Sequence, residues 1–405
     1  MTAGRGPEMA KANSQDEVFI VGAARTPIGS LNGALAALPA PRLGAVAVAE
    51  AVRRAGLRPE QVGEAILGNV LSAGMGQAPA RQAALGGGLP NTVPAVTVNK
   101  VCGSGLKAIL LGEQAIRAGE AEIVVAGGME SMSQTPYLLL KARQGYRMGD
   151  GVLVDSMLHD GLIDAYSPIH MGVCGEMCAE RYGVSRAEQD RFATQSYTRA
   201  LEAQAAGRFA AEIVPVPVPG KRGETLVTED EEPKRADLSR FAGLKPSFKE
   251  GGTITPANAP SVNDGAAAVV LASRRAVEEL GLEPLASLGA SATAAMAPEW
   301  FTIAPGEAAQ KALKRADLTA NDIDLFEINE AFAVVALVAA RVLGIGEDRM
   351  NVNGGAVALG HPIGCTGARL VVTLLSAMRQ QGARRGLAAL CLGGGEGMAL
   401  ILERP

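Results

Sequence analysis

Cys102, His361 and Cys391 each stand in a glycine-rich stretch, and their side chains together can attack an acyl carbon, accept a proton and supply one. Cys102 follows an extended apolar run at residues 94–98. It is followed by Gly103, Ser104 and Gly105, and then by an Ala/Leu/Ile-rich run to Arg117 that reads as a helix. A cysteine where a strand turns into a helix faces the positive end of the helix dipole, which predicts a thiol pKa below the ordinary value. His361 lies in residues 360–364 (GHPIG), before a second helical run, and Cys391 ends the strand read at residues 386–392 and leads into Gly393–Gly397. All three fall near the carboxyl ends of strands, where open α/β sheets build their sites. A single cysteine or histidine so placed reads as core or turn; the joint placement points to chemistry.

The elements that must position them alternate. Residues 18–22 and 64–70 read as strands around a helix at 43–56, and another strand is expected at 122–126, followed by Gly127-Gly-Met-Glu130. This is the pattern of a parallel sheet with helical crossovers. Much of it returns at an offset of about 260 residues, far longer than a solenoid period. Residues 49–69 resemble 310–330, Gly105-Leu-Lys107 matches Gly367-Ala-Arg369, and residues 127–130 echo 393–396. Two similar halves follow, related by a pseudo-twofold axis. The expected division is an extension at 1–17, a first half at 18–130 and 250–283, a loop domain at 131–249 covering the site, and a second half at 284–405. The loop domain holds a helix at 186–206, the proline-rich run 215–219 and the charged run 229–235.

A chain of 405 residues can bury a large core, and a net charge of −4 gives it no basic footprint for nucleic acid. No apolar run is long enough to span a bilayer, since Arg341 interrupts the most apolar stretch, so no membrane partner is expected. Residues 1–16 lack the apolar core of a signal peptide, and five cysteines, an odd number, suit reduced thiols in the cytoplasm.

Residues 99–105 (NKVCGSG), 126–132 (AGGMESM), 170–172 (HMG), 263–265 (NDG), 329–332 (NEAF), 353–355 (NGG), 360–364 (GHPIG) and 391–395 (CLGGG) together resemble the thiolase family, in order, from about residue 18 to 403. The resemblance implies a five-layered α-β-α-β-α fold of two halves with an inserted loop domain. It implies the reversible condensation of two acetyl-CoA to acetoacetyl-CoA and CoA through an acyl-cysteine. Cys102 would be the nucleophile, His361 its base, and Cys391 the acid and base at the α-carbon. Asn329, through a water, and His361 would form one oxyanion hole; the backbone N–H groups of Cys102 and Gly393 would form the other. Glu330 would orient this network. Coenzyme A, substrate and product rather than cofactor, would meet Leu162, His170, Met171, Phe248, Ala331 and Phe332, with Lys234 or Arg235 at the nucleotide phosphates. The family also implies a homotetramer, with a dimer as the alternative, and residues 131–149 resemble its tetramerisation loop.

Two positions depart from that pattern. Pro260 stands where many members have a serine that contacts pantetheine, and it has no N–H to donate; Ser261 beside it is the candidate replacement. Glu396 puts a carboxylate into the terminal glycine-rich loop, where it would raise the Cys391 thiol or restrict the acyl pocket. His170, Cys174 and Cys178 are spaced four apart, as zinc ligands on a helix would be. No metal is expected, because Gly172 and Gly175 weaken the helix and the resemblance puts His170 at coenzyme A. Cys365 reads as a packed helix-start residue. The competing activities are a 3-ketoacyl-CoA thiolase of broader chain length and a decarboxylating ketosynthase. The second needs another active-site histidine in place of Cys391, and only His159, His170 and His361 are present.

Overall fold

The computed structural model describes residues 17–221 and 223–405; of the extension read at residues 1–17, residues 1–16 lie outside them. The first half contributes β1 (Val18–Arg25), α1 (Ala40–Arg54), β2 (Glu64–Gly68), β3 (Ala95–Val98), α3 (Ser104–Arg117) after α2 (Pro79–Gly86), β4 (Ile123–Ser131) and β5 (Asn263–Ser273). Between β4 and β5 the chain leaves the sheet to form α4 (Met171–Tyr182), α5 (Arg186–Ala205) and the hairpin of Val216–Gly220 with Gly223–Val227. The second half contributes β6 (Ala286–Ala295), α6 (Ala304–Ala316), β7 (Leu325–Ile328), α7 (Ala333–Leu343), α8 (Ile363–Gln381), β8 (Arg385–Leu392) and β9 (Glu396–Glu403).

These strands, with the two-residue strand Gly29–Ser30 paired to β5, form one ten-stranded mixed sheet in the order β7-β8-β9-β6-β1-β5-β4-β2-β3. Outward from the β6–β1 junction the two halves run alike: an antiparallel pair of long strands, then a third antiparallel strand, then a parallel one. Among the described residues the two half-sheets pair through Phe19–Ser287 and Ile20–Ala286, and α3 and α8 pack between them. These two helices touch each other, α8 packs on both half-sheets and α3 on the first, α1 and α2 cover the first half outside, and α6 and α7 cover the second. The result is the five-layered α-β-α-β-α arrangement expected from the sequence.

The sequence repeat has a physical counterpart in this middle layer. A Cβ on Gly105 of α3 would meet Ala368 N and Gly364 O of α8, and one on its repeat partner Gly367 would meet Leu106 N. Glycine on both helices is what lets the two backbones cross at contact distance. Being covered on all sides, α8 is buried almost throughout, including Arg369, which pairs with buried Glu327 at 3.2 Å.

One element differs from expectation. The strand read at residues 122–126 is longer: β4 runs on through Gly127 and Gly128 to Ser131 in register with β5. Its glycines serve close packing, since a Cβ on Gly127 would collide with Ala267 O and one on Gly128 with Gly364 O.

The excursion between β4 and β5 lies on the second half, α4 and α5 packing against α7. A buried ion cluster ties it back to the first. Arg25 of β1 donates to both carboxylate oxygens of Asp230 at 2.7 and 2.9 Å and to Glu212 at 2.7 Å. Asp230 also accepts from the Ile28 N–H at 2.8 Å, so the bidentate pair is fully used.

Candidate active site

Cys102 lies in the turn between β3 and α3, and the residue before it, Val101, has φ +46°. A β-branched residue in the left-handed region is strained and is held there only by its surroundings. Asn99 Oδ1 accepts from Val101 N–H at 3.0 Å. Ser104 Oγ accepts from Lys100 N–H at 2.8 Å and donates to Val101 O at 2.6 Å.

His361 follows the four-residue helix Ala356–Leu359 and precedes α8. Its backbone N–H donates to Asn263 Oδ1 at 2.9 Å, and its Nδ1 lies 2.7 Å from Thr366 Oγ1. The Thr366 hydroxyl spends its only hydrogen on Pro362 O at 2.9 Å, so it must accept from Nδ1–H. This fixes the tautomer: Nε2 carries the lone pair, and it has no protein partner. Burial and the cationic Arg369 push the imidazole down to about 3, so it is neutral and a proton acceptor. Thr366→Val should strip this tautomer control and lower kcat roughly tenfold to thirtyfold; steady-state rates with unchanged secondary structure check it.

Burial pushes the Cys102 thiol up to about 11, against the opposing pull of the Gly393 and Cys102 backbone N–H groups. This overturns the depressed thiol expected from the strand-to-helix position: two amides do not compensate for desolvating the thiolate. The resting pair is therefore a thiol beside a neutral imidazole. Cys391, next to the end of β8, is wholly buried, and its thiol is also pushed well above the ordinary value by burial and then by Cys102 nearby.

Cys102, His361 and Gly393 share a cavity of about 230 Å³ with Leu162, His170, Met171, Phe248, Ala331 and Phe332. Larger surface grooves, such as the one of about 440 Å³ beside Gln310 and Leu343, hold no cysteine or histidine. The His170 ring stacks on Phe248 at 4.7 Å between centroids, and its Nδ1 accepts from Gly172 N–H, leaving Nε2–H as a donor. Met132, Pro260, Ser261, Phe301 and Ile363 complete the walls. Asn329 and Cys391 do not line the cavity and are fully buried, and both polar atoms of the Asn329 amide are without a partner among the described residues. Lys234 and Arg235 do not reach the cavity; they pair with Glu229 and Glu231 on the exposed surface.

Both departures find a place. Ser261 Oγ donates to Asn263 Oδ1 at 2.9 Å, so its hydroxyl hydrogen is committed away from the cavity beside Pro260. Glu396 does not line the cavity; its carboxylate pairs with Lys100. Cys174 and Cys178 are buried in α4, and no group of three His, Cys, Asp or Glu residues among the described residues is placed to hold a metal.

Three supporting residues escaped the sequence reading as site residues. Thr366 is one, and Asn263, which accepts from His361, is another. Glu130 is the third: it accepts from Asn69 Nδ2 and from the Val70, Leu71 and Gly364 N–H groups at 2.8–3.2 Å. It thereby joins the end of β2 to the start of α8, three residues beyond His361. Burial still pushes its carboxyl up to about 7. Glu130→Gln presents an NH₂ where only donors point, and should cost about 3 kcal/mol by leaving buried donors unpaired; denaturant unfolding checks it. The motif around Glu130 was visible; its four partners come from two separate stretches of chain, residues 69–71 and Gly364.

A doubly repeated α/β fold, a cysteine nucleophile that shares a cavity with a neutral imidazole and a second protonated cysteine define an acyltransferase of the thiolase class, and the chain belongs to the thiolase family. Residues 18–275 match the thiolase N-terminal domain and residues 282–404 the thiolase C-terminal domain. The chain is 52% identical over 390 residues to the acetyl-CoA acetyltransferase of Cupriavidus necator, covering 96% of this chain and 99% of that one. It is 53% identical over 391 residues to the acetyl-CoA acetyltransferase of Chromobacterium violaceum, covering 96% and 100%. With acetyl-CoA acetyltransferase 2 of Arabidopsis thaliana it shares 52% over 390 residues, 96% and 97% of the two chains.

Proposed function

We propose that this thiolase is an acetyl-CoA C-acetyltransferase, joining two acetyl-CoA to acetoacetyl-CoA and CoA, and reversing that reaction by thiolysis. The observation that supports it most is the small cavity in which Cys102, His361 and Gly393 share a wall with bulky Met132, Met171 and Phe301. In condensation His361 Nε2 takes the Cys102 proton as sulfur attacks the acetyl-CoA carbonyl. Cys391, protonated at rest, gives its proton to the departing CoA thiolate. The resulting Cys391 thiolate removes an α-proton from a second acetyl-CoA, and the enolate attacks the acetyl carbon on Cys102. The C–S bond breaks, and Cys102 recovers its proton from His361. Each oxyanion would meet fixed donors: the Cys102 and Gly393 amides in one hole, and in the other His361 with Asn329, whose unpartnered amide would act through a water. Nucleophile, base, acid and donors all come from the chain, so no cofactor enters, and coenzyme A is substrate and product.

Asn99, Asn263 and Glu130 set the frame; Leu162, His170, Met171, Phe248, Ala331 and Phe332 would receive the pantetheine arm, and Lys234 or Arg235 the nucleotide phosphates. A homotetramer is supported by the apolar side chains left in the open on the excursion, Leu140, Met148, Val152 and Tyr166 among them, with Met148 97% exposed. Five free thiols support a reducing, cytoplasmic setting. No helix among the described residues is long and apolar enough to cross a membrane.

The test is thiolysis of a chain-length series, from acetoacetyl-CoA to 3-ketohexadecanoyl-CoA. Turnover confined to the shortest substrates fits the reading. Comparable rates on long chains would reassign the protein as a broad 3-ketoacyl-CoA thiolase.

A further inference from the structure

Lys100 and Glu396 come from opposite halves of the fold, 296 positions apart in the chain, and form an ion pair beside the nucleophile. Their side chains are 25% and 32% exposed, so the pair is partly shielded from water and salt. It closes one end of a seam between two loops. Next along the seam, the Val101 side chain lies 3.4 Å from where a Cβ on Gly393 would stand, at van der Waals contact. Beyond that, Gly103 meets Leu392 so closely that any Cβ would collide with its side chain. The loop at residues 100–103 and the loop at 392–396 are thus locked at both ends. Val101, at the centre, is in the strained left-handed conformation.

We propose that the Lys100–Glu396 pair is a clamp that positions the catalytic machinery: it holds the backbone N–H of Gly393 at a fixed distance from Cys102 across the boundary between the two halves. The geometry requires some such device. The two donors facing the sulfur, Cys102 N–H and Gly393 N–H, sit on loops of different halves. No backbone hydrogen bond between the loops at residues 99–103 and 392–396 joins them among the described residues. The strain at Val101 is contained locally by Asn99 and Ser104, but neither residue reaches the second half. Among the described residues, the only side chains that bridge the seam with charge are Lys100 and Glu396. Neither lines the cavity, so both are positioning residues and touch no reacting atom. The proposal rests on the acyl-transfer reading above for its kinetic arm alone.

The test uses the full-length protein, Glu396→Gln, Lys100→Met and the charge-reversed double variant K100E/E396K. Thiolysis of acetoacetyl-CoA gives kcat and KM, and the pH dependence of iodoacetamide alkylation at Cys102, followed by peptide mass spectrometry, gives its thiol pKa without any substrate. The groups acting on that thiol besides the pair are His361 before α8, Cys391 on β8 and Glu130 on β4, and all are kept. Each single variant should lower kcat roughly tenfold, part of what losing one oxyanion donor outright costs, with KM changed less than about twofold. The reversed pair should recover to within roughly threefold of the parent, since the attraction is restored. The alkylation arm is decided by sign. Removing an anion beside a retained Lys100 would by charge alone lower the Cys102 pKa in Glu396→Gln; losing the Gly393 amide raises it, and a rise is expected. Singles with parental kcat, a reversed pair as slow as the two losses combined, or a fall in that pKa would each overturn the clamp. A parent protein that cleaves no acetoacetyl-CoA, while Glu396→Gln raises the alkylation pKa as described, would sink the functional reading and leave the clamp standing.

Discussion

Cys102→Ala should abolish turnover, lowering thiolysis of acetoacetyl-CoA by a factor on the order of 10⁵, as expected when a covalent nucleophile is removed. No other described cysteine can take its place. Cys174, Cys178, Cys365 and Cys391 are all buried, whereas Cys102 is partly exposed and opens on the cavity. Intact-protein mass spectrometry after incubation with acetyl-CoA should find the acetyl group on the parent protein and none on the variant. The pH dependence sharpens this. His361 is held neutral down to about pH 3 and the Cys102 thiol intact up to about pH 11. The acylation rate should therefore be flat from about pH 5 to 9, without the inflection near 6.5 that a solvent-exposed histidine would give. An acetylated Cys102→Ala protein would contradict the assignment of the nucleophile; a half-titration near pH 6.5 in the parent would contradict the buried neutral pair.

Cys391→Ala should separate the two halves of the reaction. Acylation of Cys102 by an activated ester with a good leaving group needs no acid, so a stoichiometric burst should survive within a few-fold. Condensation and thiolysis, which need a proton moved at the α-carbon, should fall by roughly 10³, the usual worth of a positioned acid–base group. The thiol's raised pKa gives the direction: Cys391 enters the cycle as an acid and becomes a base only after giving its proton away. Exchange of the α-deuterons of labelled acetyl-CoA with solvent checks this directly, and parental exchange in Cys391→Ala would exclude Cys391 as the base.

Much of this site was legible in the sequence because its marks are local. The helix after Cys102 ends at Arg117 as the apolar run predicts, and the glycines at 105 and 367 that marked the repeat are the points where α3 and α8 touch. What stayed hidden depends on neighbours distant in the chain. Strand β4 runs through Gly127 and Gly128 because β5 pairs with them, while the apolar run that marks it in the sequence stops at residue 126. A helix start argues for a thiolate at Cys102, but burial, which no local pattern carries, outweighs it. Glu396 stands five residues from Cys391, yet its side chain turns to Lys100 in the other half. The tautomer of His361 follows from a threonine five residues on, whose own hydrogen is spent on Pro362; spacing alone shows no such commitment.

The excursion between β4 and β5 has a consequence for how such a protein can change. Its two ends, Ser131 and Asp264, are directly paired neighbours in the sheet, so topologically the whole segment is the loop of one β-hairpin. Cys102, His361, Cys391, Asn329 and Gly393 all lie outside it, while Leu162, His170, Met171, Phe248 and Pro260 lie within it. Reactivity and much of the pocket lining are thus inherited on different stretches of chain. Loop exchange at a fixed pair of strand ends leaves the pairing register untouched. A lineage of such proteins can trade one acyl-thioester wall for another in a single recombination event, while the residues that make and break bonds stay where they are.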